Sequence, residues 1–266
     1  MERGAAVLRR VGLGRVVDAV GARVASTDFE VEVDGLRLAG DHIGQLYYVR
    51  EVLESGREGY FVELVREAAQ PGATVLEAGA HIGYVTLQAA RAVGPTGRVI
   101  AFEPNPRTLP VLRRNVEANG FADRVEIVEV ALGSAPGRAS FHLTPAGDES
   151  SLHGDAAPED VVDVEVDTAD ARLVDTHVDV VKIDVEGGEV EALRGMRALL
   201  RRVRPVVFAE CNPEALEAAG TSVDELLAEL DAVGYDVRWI DEEARALRPF
   251  DEPWAAEYVN LRCAPR

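Results

Sequence analysis

The chain has 266 residues, 47% of them hydrophobic, which is enough to bury a substantial core around one α/β domain with an N-terminal extension. Its formal charge of -19 would repel phosphate backbones, and no basic groove is legible, so a small-molecule partner is expected and a nucleic acid is not. No apolar run reaches the roughly 18 residues of a membrane span, and Cys211 and Cys263 are too few and too far apart for a zinc site or disulfide framework. A cytoplasmic protein without membrane association is expected, with a homo-oligomer left open.

The first 25 residues mix apolar side chains with Arg3, Arg9, Arg10, Arg15 and Arg23, interrupted by Gly4, Gly12, Gly14 and Asp18. This reads as an amphipathic helix and not a secretion signal. Phe29, Val31 and Val33 alternate with acids before an Asp34-Gly35 turn, and Leu36 and Leu38 continue the alternation, which predicts a hairpin. Residues 47–69 read as helical, with a break near Glu58-Gly59 and an end at Pro71-Gly72. These parts make up an extension over residues 1–69, and a ligand-binding domain is expected over 70–266.

From residue 74 strands and helices alternate. A strand at 74–76 leads into a glycine loop and a helix carrying Val85, Leu87, Ala90 and Val93. A strand at 99–102 follows, then a helix capped by Asn105, with Pro106 first and Leu109, Leu112 and Val116 on one face. Residues 125–132 predict a third strand, and 139–144 and 161–166 two more, flanking a polar loop that is a candidate lid. Then come a strand at 178–183, a helix at 189–202, a strand from 206 that ends at Glu210, and a helix at 222–233. Strands at 236–240 and 258–263, with no helix between them, predict an antiparallel pair.

In an open parallel sheet, ligands bind beyond the carboxyl ends of the strands. Gly79 and Gly83 occupy the first such turn, and Glu103 ends the next strand about 20 residues on, where a carboxylate can accept both ribose hydroxyls of a nucleoside. A dinucleotide-binding, NAD-dependent oxidoreductase uses similar parts. However, Glu77-Ala78-Gly79-Ala80-His81-Ile82-Gly83 lacks the G-x-G-x-x-G spacing, and its opening acid suits a cationic ligand better than a pyrophosphate.

Residues 75–84 and 99–106, the Ala131-Leu132-Gly133 turn, the run Val181-Lys182-Ile183-Asp184-Val185-Glu186-Gly187 and the strand Val207-Phe208-Ala209-Glu210 recur in this order in FkbM-type methyltransferases, which the chain resembles over about 70–212. The resemblance implies an α/β, class I methyltransferase (Rossmann-like) fold: a seven-stranded, doubly wound sheet with an antiparallel terminal strand. It implies S-adenosylmethionine as cofactor, contacted by Glu77, Gly79, Ala80, His81, Gly83, Tyr84, Glu103, Pro104, Asn105, Ala131 and Asp184. Glu77 stands where the family usually has Asp, and would interact with the amino group of the methionine moiety. His81 stands where Asn is common.

The resemblance also implies O-methylation of a small hydroxylated acceptor, a sugar, polyketide or other natural product. Asp184 and Glu186 follow an apolar strand and precede Gly187-Gly188 and a helix, so at least one should face the crevice; Asp184 is the first candidate base. The alternative for Asp184 is an acid stabilising the helix N-terminus. Lys182 reads as a charge partner for a carboxylate. His153, beside Ser150 and Ser151, could be a base carried by the lid, although a loop histidine is more often simply exposed. Asp184, Glu210 and Asn212 could hold Mg²⁺, with a metal-free site preferred. His42, His142 and His177 read as structural or exposed, and Tyr47, Tyr48, Trp239 and Trp254 as packing residues. A protein that keeps the cofactor pocket but serves as a non-catalytic partner subunit is the remaining alternative.

Overall fold

The computed structural model describes residues 28–54, 59–143, 151–152, 160–251 and 258–266. The N-terminal helix expected over the first 25 residues, His153 with most of the candidate lid, Trp254 and the side chain of Tyr47 lie outside the described residues.

The hairpin forms as expected from β1 (Phe29–Val33) and β2 (Leu36–Gly40), paired antiparallel. Asp34 and Gly35 both take positive φ, 52° and 76°, as a two-residue turn with the twist of the flanking strands requires. Val31, Val33, Leu36 and Leu38 are buried in the same core as the first helices of the main sheet. The helical stretch that follows is α1 (Ile43–Glu54) and α2 (Gly59–Ala68). The first turn of α2 is satisfied from far along the chain, because the Tyr60 and Phe61 N–H groups each donate at 2.8 Å to the Glu242 carboxylate.

The main sheet is built from β3 (Thr74–Ala78), β4 (Arg98–Phe102), β5 (Val125–Val128), β9 (Val180–Ile183), β10 (Val206–Cys211), β11 (Tyr235–Asp241), β12 (Ala246–Pro249) and β13 (Val259–Pro265). Its order is β12-β11-β13-β10-β9-β3-β4-β5. β5, β4, β3, β9 and β10 are mutually parallel, and β13 runs antiparallel to both β10 and β11. The doubly wound sheet with one antiparallel terminal strand is therefore present, and β12 extends it by an eighth, edge strand that the sequence pattern did not show. A turn with Asp241 accepting from the Ala244 N–H, and with Arg245 at φ 50°, sends the chain back along β11 to form β12. The central strands read as apolar runs because helices cover both faces: β9 is buried along its whole length.

Three other expectations are corrected. The strand expected at 125–132 divides: Val130 N–H turns back to the Val128 carbonyl, and β6 (Ala131–Leu132) leaves the main sheet for a small one with β7 (Gly137–His142) and β8 (Val161–Asp167). The helix expected at 189–202 is two, α6 (Glu189–Arg194) and α7 (Arg197–Val203). The break falls at Gly195, where any Cβ would strike the Gly133 carbonyl, and α7 is restarted by Asp170, whose carboxylate accepts from the Ala198 and Leu199 N–H groups at 2.9 and 2.6 Å. Asn105 does not cap a helix directly. Its Oδ1 accepts from the Arg107 N–H in a turn that precedes α4 (Leu109–Ala118).

The helix after β3 is α3 (Tyr84–Val93), and the short α5 (Ala169–Arg172) carries Asp170. After β10 an unexpected helix, α8 (Pro213–Ala218), begins, followed by α9 (Val223–Ala232) with Ser222 as its cap. Trp239 lies in the core, as expected of a packing residue. None of the described helices is long and apolar enough to cross a membrane.

Candidate functional site

The carboxyl ends of β4, β3, β9 and β10 lie side by side and deliver Glu103, the glycine loop, Asp184 and Glu210 to one edge of the sheet. The loop after β3 is held from inside. Gly79 and Ala80 N–H groups donate to the Phe102 carbonyl at 3.0 and 3.1 Å, so neither is left for a ligand phosphate. Gly79 is at φ 81°, and a Cβ there would run into the Asp184 carbonyl oxygen; Gly83, at φ 96°, opens α3 against Leu112. At both glycines the missing Cβ admits another part of the chain, the Asp184 carbonyl at Gly79 and the Leu112 side chain at Gly83.

His81 also takes a left-handed φ, 49°, and its N–H donates at 2.7 Å to one oxygen of Glu103. The other oxygen accepts from the Asn105 N–H at 2.8 Å. Glu103 thus ties the ends of β3 and β4 together while remaining at the strand end. Burial pushes its carboxyl above the ordinary range, and the two N–H donors oppose that push. The His81 ring meets the Tyr48 ring edge-on at 5.1 Å, and burial pushes its pKa down to about 4, so it is neutral at physiological pH.

Glu77, on β3, is 1% exposed. It acts within the protein: Thr86 Oγ1 donates to Oε2 at 2.6 Å, and Lys182 Nζ lies 3.8 Å from Oε1, which accepts no hydrogen bond among the described residues. Burial pushes Glu77 up to about 7, against the pull of Lys182. The Lys182 ammonium donates to the Gly79 carbonyl at 2.8 Å and lies 3.2 Å from Asp184 Oδ2. It is the carboxylate partner expected, and it joins β9 to the loop.

Beyond β9, Asp184, Glu186 and Glu210 each place one carboxylate oxygen within 4.8 Å of the others. Asp184 and Glu186 are partly exposed and Glu210 is buried. Glu186 and Gly187 adopt φ 54° and 95°, and this bend is braced by Glu189, whose Oε1 accepts from the Val185 and Gly187 N–H groups at 2.9 and 3.3 Å. Glu189 is 1% exposed and burial pushes it up to about 7. Glu210 is pushed well above its ordinary value, by burial first and then by Asp184, Glu186 and Glu189. Asn212, expected beside Asp184 and Glu210 as a metal ligand, lies at the start of α8, where its Oδ1 accepts from the Ala215 N–H at 3.2 Å, and Glu186 is the third acid grouped with Asp184 and Glu210.

Tyr84 is buried in the first turn of α3, Pro104 is half-buried next to Glu103, and Ala131 lies in the small sheet paired with Val166. Two contributors were not foreseen. Glu189 had a signal, an acid in the first turn of a helix after two glycines, but Thr86 had none beyond its nearness to Gly83.

The methyltransferase FkbM domain matches residues 77–237, more than half of the chain. The chain belongs to this family. Its sheet is the seven-stranded class I methyltransferase sheet with one further edge strand. A 74-residue stretch is 42% identical to the catechol O-methyltransferase of Mycobacterium tuberculosis, covering 28% of this chain and 33% of that one. Methyltransferase sdnD of Sordaria araneosa is 26% identical over 197 residues, covering 61% of this chain and 73% of its own. Among solved structures, the methyltransferase FkbM of Methylobacillus flagellatus KT aligns with a TM-score of 0.47 and 18% identity, over 72% of this chain and 43% of that chain. The chain spans about a third of the catechol relative's length and less than half of the solved FkbM protein.

Proposed function

We propose that the chain is an S-adenosylmethionine-dependent O-methyltransferase acting on a hydroxyl of a small metabolite, such as a sugar or polyketide. The observation that carries this reading is the convergence of Glu103, Asp184, Glu186 and Glu210 at the carboxyl edge of the sheet, within a chain of this family. The residues suit the cofactor. Glu103 is fixed by two backbone donors, and its remaining lone pairs can accept ribose hydroxyls, while the surplus of carboxylates favours a cationic sulfonium. A dinucleotide fits less well, because the loop's Gly79 and Ala80 N–H groups are already spent on Phe102.

When bound, S-adenosylmethionine supplies a methyl group on a positively charged sulfur. Glu103 would hold the ribose of the bound nucleoside, and Asp184 would take the proton of the acceptor hydroxyl as its oxygen is methylated. Lys182 holds Asp184 Oδ2 in place, and the partial exposure of Asp184 lets it meet an acceptor. Alignment of the reactants supplies roughly 7 to 11 kcal/mol of the barrier reduction, and the base about 10² to 10⁴ in rate.

The test is a screen of hydroxylated metabolites with methyl-labelled S-adenosylmethionine, repeated with Asp184→Asn. Label should enter an acceptor as a methyl ether, and the variant should be slower by about 10² or more. Cofactor binding without turnover on any acceptor class would favour the non-catalytic partner subunit.

A further inference from the structure

We propose that Asp184, Glu186 and Glu210 bind one divalent cation of the magnesium or manganese class. The acids come from different elements, the turn after β9 and the end of β10, yet one oxygen of each lies within 4.8 Å of the others. Hard divalent cations hold their oxygen ligands at roughly 2.0 to 2.4 Å, so oxygens on opposite sides of one ion lie about 4 to 5 Å apart.

Glu210 supplies the independent sign of a ligand. The residue is 8% exposed, and its Oε2 has no hydrogen-bond partner among the described residues. A buried carboxylate oxygen without a partner is costly, and native structures rarely leave one so. Lys182 does not relieve it directly, since its ammonium is placed on the Gly79 carbonyl, 3.2 Å from Asp184 and 3.8 Å from Glu77.

Charge selects the valence. The three carboxyl groups outnumber the one ammonium beside them, and Lys182 is shared with Glu77, so the cluster attracts a cation and a divalent ion answers it best. The partial exposure of Asp184 and Glu186 leaves one side open for water or an acceptor oxygen, as a magnesium-type ion requires. Glu189 builds the site from behind, holding the Val185 and Gly187 N–H groups so that Glu186 turns back towards Glu210. The ion would polarise the acceptor hydroxyl and ease the loss of its proton. That consequence rests on the proposed methyl transfer, whereas binding of the ion does not.

The experiment titrates MnCl₂ and MgCl₂ into the chelator-treated full chain at near-physiological salt, by calorimetry and by manganese electron paramagnetic resonance. One saturable site is expected, weakened about tenfold or more by Glu210→Gln and by Glu186→Gln. Glu186 is partly exposed, so its variant keeps the test available if Glu210→Gln fails to fold. Absence of saturable binding overturns the proposal. So does weak binding of several ions unchanged in both variants, the behaviour of scattered surface acids. S-adenosylhomocysteine is titrated in parallel: its binding without manganese binding removes the ion and leaves the methyltransferase reading, and manganese binding alone does the reverse.

Discussion

The Asp184 carbonyl oxygen fills the space that a side chain at Gly79 would need, so the glycine loop and the acidic turn are packed backbone against backbone. The Lys182 ammonium spans the same junction, from the Gly79 carbonyl to the Asp184 carboxylate. Gly79→Ala is therefore predicted to do more than strain a left-handed residue at φ 81°, because it pushes two strand ends apart. The expected loss is about 3 kcal/mol or more in urea unfolding, together with loss of cofactor binding. A variant as stable as the parent would show that the two loops are not in contact.

Glu103 is predicted to serve both architecture and ligand. Glu103→Gln keeps the shape but replaces one acceptor with an NH₂ group, which cannot accept from both the His81 and Asn105 N–H groups. Affinity for S-adenosylhomocysteine should fall by about 1 to 3 kcal/mol in calorimetric titration. An unchanged dissociation constant would remove Glu103 from the cofactor site.

Stability should decline between pH 5 and pH 8. Glu77 and Glu189 both have carboxyl groups pushed from the ordinary 4.5 up to about 7 in the folded chain by burial. A raised carboxyl pKa means that the folded state holds the proton more tightly than the unfolded one. The contribution is fully present below about pH 4.5 and is lost as pH rises through 7. Each group is worth on the order of 3 kcal/mol across that window. Glu189→Gln keeps an acceptor for the Val185 and Gly187 N–H groups and carries no charge, so its stability advantage over the parent should grow from pH 5 to pH 8. Chemical denaturation at several pH values measures this, and a constant difference would contradict it.

Away from the site, Glu242 joins the chain's last third to its first. Glu242→Ala strips the Tyr60 and Phe61 N–H groups of their shared acceptor at the start of α2. A cost of about 1 kcal/mol is expected in urea unfolding, the usual worth of a helix cap, with cofactor affinity unchanged. No loss of stability would mean that water replaces the carboxylate at this helix end without penalty.

What the sequence revealed of this fold was carried by local pattern. The hairpin announced itself through alternation around Asp34-Gly35, and the parallel strands through apolar runs ending at Glu103, Asp184 and Glu210. The errors fall where a distant contact decides. Nothing near Gly195 shows that the Gly133 carbonyl needs its bare Cα, nor that Asp170 restarts the helix as α7. Of the acids at the sheet edge, Glu186 was a sequence candidate for catalysis, but its approach to Glu210 depends on a left-handed backbone at φ 54° that no pattern signals.

The account's central claim is that this edge receives S-adenosylmethionine. Calorimetric titration of the purified chain with S-adenosylhomocysteine, beside an equal titration with NAD, tests it most directly. One saturable site for S-adenosylhomocysteine, with a matching rise in melting temperature and no response to NAD, is the predicted result. Saturable binding of NAD with no response to S-adenosylhomocysteine would contradict it.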